Sequence, residues 1–151
     1  MPSLDVNHAP APEASQQERD LGPLAWVLDE LRKSLDTAVK AMRRFVHEAE
    51  HARDSDLAAL DAGALRIARQ HLHQASGALE MVGMAPIALL LRAMEAAVHK
   101  FVQQPSLCTK EAISTIERAG FALLEYLEYV LAGKQASPVA LFPQYREVQT
   151  L

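Results

Sequence analysis

The stretch Leu65-Arg66-Ile67-Ala68-Arg69-Gln70-His71-Leu72-His73-Gln74-Ala75-Ser76-Gly77-Ala78-Leu79-Glu80-Met81-Val82-Gly83 carries apolar residues at Leu65, Ala68, Leu72, Ala75, Leu79 and Val82. Steps of three and four predict one helix with a single buried stripe, ended by Gly83 as a C-terminal cap. The same rule governs what lies on either side. Upstream, Leu24, Leu28, Leu31, Leu35, Ala38, Met42 and Phe45 form one stripe, with Pro23 placed as a first-turn residue. Downstream, Ile87, Leu90 or Leu91, Met94, Val98 and Phe101 follow Pro86 and stop before Pro105. A last series, Ile113, Ile116, Gly120, Leu123, Leu127 and Val130, opens at Thr109 as N-cap and ends at Gly133. No segment shows the two-residue alternation of a strand. The pattern predicts an all-α fold, an antiparallel four-helix bundle over residues 21–133. Residues 1–20, rich in Pro, Ala, Ser, Gln and acids, are expected to be disordered. Residues 134–151 read as a C-terminal extension or a linker to further domains, in which Leu141, Phe142 and Tyr145 pack on the outside or open a further segment.

At 151 residues, half of them hydrophobic and 23% charged, the chain has room for one ordinary domain and not for two. A chain of this size buries roughly 68–70% of its unfolded surface, enough for a core without cross-links. The single cysteine, Cys108, excludes an internal disulfide framework and fits a reducing compartment. The longest apolar run, Met81 to Leu91, is interrupted by Gly83 and Pro86 and is too short for a membrane span, so a soluble protein is expected. The first residues do not resemble a signal peptide. Fifteen Lys and Arg against nineteen Asp and Glu give a charge of -4, which argues against a nucleic-acid partner. The basic residues Arg32, Lys33, Lys40, Arg43 and Arg44 read as the solvated face of a helix.

Three possible sites are weak. His47-Glu48-Ala49-Glu50-His51 satisfies H-E-x-x-H, the helical zinc-hydrolase motif, but it lies among the charges Arg53, Asp54 and Asp56 with no third ligand in view, so no metal is expected. Cys108 has no histidine placed near it by the sequence to act as a base. No glycine-rich phosphate loop occurs, so the chain has no ATP site of its own and no cofactor is expected. His73 is different. It lies far round the helix from the buried stripe and should face water. One turn on, Gly77 costs about 1 kcal/mol relative to Ala in a helix, and its missing side chain leaves room for a partner. Arg66, Arg69 and Ser76 read as donors on the same side, able to hold a phosphoryl group near the ring, while His71 flanks the stripe as a bundle-edge residue. Glu80 completes the expected partner face.

The run from His73 to Gly83 resembles the histidine-phosphotransfer motif, H-x-x-K-G with an apolar residue and Gly nine and ten positions after the histidine, matched here by His73, Gly77, Val82 and Gly83. Together with the tail Leu141-Phe142-Pro143-Gln144-Tyr145-Arg146-Glu147, it is similar to the opening segment of the chemotaxis-type hybrid histidine kinases that govern type IV pili and twitching motility. The resemblance spans about Leu21 to Leu151. It implies a phosphotransfer-like bundle in the bacterial cytoplasm, with His73 as phosphoacceptor. The implied partners are the receiver domain of a response regulator and an ATP-binding kinase domain on the same or a separate chain. One position departs from the motif: Ser76 stands where a lysine is usual, so Arg69 would have to supply the charge. Two functions follow. One is a phosphorelay module in which His73 takes a phosphoryl group and passes it to a receiver aspartate. The alternative is a degenerate, non-phosphorylated module that binds chemosensory or response-regulator partners through the same face.

Overall fold

Thr109 and two glycines mark the helix ends. The Thr109 hydroxyl accepts a hydrogen bond from the Ala112 amide at 3.1 Å and caps the helix Lys110–Leu131. Gly83 and Gly133 hold φ of 80° and 78°, where a side chain is strained. Each closes a Schellman turn: Met84 N–H reaches the Leu79 carbonyl and Lys134 N–H the Tyr129 carbonyl.

The computed structural model describes residues 13–52 and 62–151, with side chains from residue 21 onward. The chain is all-helical, and no strand occurs among the described residues. The helices are α1 (Glu13–His51), α2 (Gly63–Met81), α3 (Ala85–Gln103), α4 (Lys110–Leu131) and α5 (Phe142–Gln149), with 3-10 turns at Pro105–Leu107 and Pro138–Leu141. Helix α1 packs on α2 and α4, α2 packs on α3, and α5 lies against both α3 and α4. The ion pairs Arg32–Glu128 and Arg43–Glu117 run α1 and α4 antiparallel, and Glu80–Arg92 with His73–Glu95 does the same for α2 and α3. No helix among the described residues is long and apolar enough to cross a membrane.

The four apolar stripes meet in one core. Every residue of the first and third stripes is buried, and in the second and fourth only the last members, Val82 and Val130, are partly exposed. Leu65, Leu72 and Leu79 are fully enclosed, each stabilising the fold by about 1.5–3 kcal/mol relative to an exposed side chain.

The structure differs from the sequence expectation at the N-terminal end, and at the C-terminal end Leu141, Phe142 and Tyr145 open a further helical segment. Helix α1 starts at Glu13, so Pro23 lies inside it rather than in its first turn. Proline there removes one hydrogen bond to the preceding turn, and Leu24, Val27 and Leu28, buried immediately afterwards, hold the helix together past it. Of residues 1–20, expected to be disordered, 1–12 lie outside the described residues and 13–20 belong to α1. At the other end, residues 134–151 form more than an appendage. Leu141 and Val148 are buried in the common core, and the Tyr126 hydroxyl of α4 donates to the Ala136 carbonyl at 3.0 Å. Phe142 stays exposed and Tyr145 is half-buried.

Candidate functional site

His73 projects from the middle of α2 with 70% of its side chain exposed. Its Nδ1 lies 3.0 Å from Glu95 Oε1 on α3. A carboxylate oxygen only accepts, so Nδ1 carries the proton. In the neutral ring the lone pair then sits on Nε2. Glu95 is the less exposed partner, at 15%, and its carboxylate also lies 3.8 Å from Nε of Arg69, one turn before the histidine. Two helices therefore build the constellation: α2 supplies the imidazole and a guanidinium, and α3 supplies the anion between them.

Around this centre lie the other residues that the sequence placed on the His73 side of α2. Arg66 and Arg69 are exposed on the His73 side. A Cβ added to Gly77 would meet no atom within 4 Å, so the glycine opens onto free space and is not a packing contact. Glu80 is bound by Arg92 of α3. Met81, one turn past Gly77, is 88% exposed and adds an apolar side chain to the same surface.

Ser76 does not belong to this face. It is 2% exposed, and its hydroxyl donates to the His73 carbonyl at 2.8 Å, so it offers nothing to a group bound at the ring. The reason is packing. Helix α2 is gripped by α1 on one flank of its stripe and by α3 on the other, which widens the buried sector beyond the six apolar positions. Ser76, between the stripe and His73, falls inside it. His71, on the opposite flank, is half-buried, as a bundle-edge residue should be.

Glu95 and Arg92 were not singled out by the sequence. Both sit on the polar side of the third stripe, where nothing in the spacing tells a solvated charge from one that reaches a neighbouring helix.

The other candidates have their own geometry. The rings of His47 and His51 lie 4.2 Å apart, with His51 Nδ1 held 2.7 Å from the His47 carbonyl. Glu50 is engaged by Lys110 at 2.8 Å, whose hydrogen bond holds its carboxyl below the usual range. No group of three or more potential metal ligands occurs among the described residues, and Arg53, Asp54 and Asp56 lie outside them. Cys108 is buried, and burial pushes its thiol up to about 12, so it is a neutral packing residue at ordinary pH. No known protein family, curated protein or solved structure matches the chain.

Proposed function

We propose that the chain is a histidine-phosphotransfer module of a cytoplasmic chemosensory two-component system, with His73 as phosphoacceptor and α1 to α4 as its four-helix bundle. The observation that supports the reading is the His73–Glu95 contact, which engages Nδ1 and leaves the lone pair of the neutral ring on Nε2 of a largely exposed imidazole. In the transfer, Nε2 attacks the phosphorus of a receiver aspartyl phosphate or of ATP held by a separate kinase domain. The P–O bond breaks, and carboxylate or ADP leaves with the bonding pair. The product ring keeps its Nδ1 proton, and the Glu95 carboxylate offsets the positive charge left on it. Arg69, drawn towards Glu95, brings a cation to the rim of the site. Gly77 and Met81 give a receiver domain an open, partly apolar approach.

Ser76 favours a second reading. With no lysine three residues after His73 and the serine turned inward, the phosphoryl oxygens have weaker support, which suits a module that binds the same partner without accepting phosphate. Incubation with a histidine-kinase ATP-binding domain and labelled ATP separates the two. Phosphotransfer predicts an acid-labile label that is absent in His73→Gln. Stable receiver binding with no label, in both wild type and His73→Gln, would establish the binding-only module.

A further inference from the structure

His47 and His51 lie four residues apart at the C-terminal end of α1, and both are exposed. Side chains at that spacing stand one above the other on the same helix face. Their ring centroids are 4.2 Å apart, with the planes tilted by 45°. Two imidazoles at right angles on one ion, with metal–nitrogen bonds of about 2.0–2.1 Å, place their centroids roughly 4.5 Å apart. A small side-chain rotation therefore brings the pair to chelating separation, with no change in the backbone.

One ring is already oriented. His51 Nδ1 lies 2.7 Å from the His47 carbonyl, which can only accept, so Nδ1 carries the proton and the lone pair of the neutral ring is on Nε2. A backbone carbonyl on the far nitrogen is the contact that fixes the tautomer of a metal-binding histidine. Neither ring nitrogen of His47 forms a hydrogen bond among the described residues, so that ring is free to turn towards its neighbour. The charges around the pair balance: Lys110 of α4 is held by Glu50, and Arg44 is matched by Glu48 four residues on. The last carbonyls of α1 add partial negative charge, which favours a cation. A catalytic zinc would need a third protein ligand, which this turn lacks; reversible chelation needs only two.

We propose that His47 and His51 form an exchangeable site for a divalent transition-metal ion, Cu²⁺ or Ni²⁺. The ion is bound through Nε2 of His51 and a ring nitrogen of His47, with water in its remaining positions. Imidazole ligands near a right angle suit these ions better than tetrahedral zinc, whereas Mg²⁺ and Ca²⁺ require oxygen ligands. The ion bridges successive turns, so its binding stabilises the end of α1. The site uses no residue of the His73 face and does not depend on phosphotransfer.

Calorimetric titration of the full chain with nickel chloride, in a non-chelating buffer, should show one saturable site that EDTA empties, and magnesium chloride should give no signal. Paramagnetic broadening of backbone amides by Ni²⁺ should centre on residues 47–51. Loaded with one equivalent of Cu²⁺, the protein should show two coordinated nitrogens by electron paramagnetic resonance. His47→Gln and His51→Gln should each weaken Ni²⁺ at least tenfold and leave helicity without metal unchanged, because both side chains are exposed. His73→Gln should bind as the wild type does. Undiminished Ni²⁺ binding in His47→Gln, loss of binding in His73→Gln, or broadening centred outside the last turns of α1 would overturn the proposal. So would a single coordinated nitrogen in the copper-loaded wild type.

Discussion

Glu95 Oε1 lies 3.0 Å from His73 Nδ1, so a side chain of α3 decides which nitrogen of an α2 imidazole keeps its proton. The relationship is directly measurable, whatever the ring does. Nitrogen chemical shifts of the neutral ring should report a single Nδ1–H tautomer in the wild type and in Glu95→Gln, whose amide oxygen still accepts. Glu95→Ala should give a mixture of tautomers. If the alanine variant keeps the single tautomer, Glu95 does not set it.

Gly77 separates stability from docking. Its Cβ position is open, so Gly77→Ala should stabilise the fold by up to about 1 kcal/mol in urea unfolding, and Gly77→Leu should be at least as stable as wild type. The leucine stands over the surface beside His73 and should abolish receiver binding. Unfolding of Gly77→Leu would mean that the site is closed, and that the rotation of α2 about its axis is not the one described.

Leu72, on the opposite side of the same helix, gives the contrasting result. It is fully enclosed, and Leu72→Asp would bury a carboxylate with no partner. The cost is several kcal/mol out of a total that is typically about 5–15 kcal/mol. Thermal unfolding should show a severe loss, and a wild-type midpoint would contradict the burial of this stripe.

Alkaline pH should weaken the fold through two buried groups. Burial raises Cys108 from 9.0 to about 12 and raises Tyr126 above its usual value. Each is an acid held neutral in the folded state and free to ionise in the unfolded one. Their contribution is complete below the ordinary pKa and is lost as pH rises through the folded one, so for Cys108 the loss begins near pH 9.0 and runs towards 12. Cys108→Ala should flatten the stability–pH slope in that window. In the native protein at pH 8 the thiol should also resist alkylation that proceeds readily in urea. An unchanged slope would remove Cys108 from the account.

The residues that sequence reading placed well are those fixed by the helical period alone. Leu24 to Phe45, Leu65 to Leu79, Ile87 to Phe101 and Ile113 to Leu127 each face the core because a helix has no other way to bury a three–four series. Gly83, Gly133 and Thr109 terminate their helices by local chemistry, equally visible in sequence. What escaped depends on neighbours. Ser76 turned inward because α1 and α3 together cover more of α2 than its leucines mark out. Glu95 became a partner of His73 through the register of α2 on α3, which no single helix encodes. Pro23 is tolerated inside α1 because the residues after it are anchored in the core. The short α5 shows no stripe long enough to detect, having Val148 as its one fully buried residue.

That short helix supports the last prediction. If α5 closes the gap between α3 and α4, its few anchors should matter out of proportion to their number. Val148 is 1% exposed, and Val148→Ala removes two methyl groups from an enclosed site, a loss of about 1–3 kcal/mol. Tyr126→Phe removes the hydroxyl that ties α4 to the Ala136 carbonyl, worth about 0.5–1.5 kcal/mol. Both changes act on one element, so their effects should not simply add: once either has loosened the segment, the other contact has less to hold. Amide exchange should rise over residues 136–149 in each single variant while protection at Leu72 and Leu123 stays near wild type. The double variant should lose less stability than the two singles together. Full additivity, or exchange rising equally throughout the core, would show that α5 does not open as a unit.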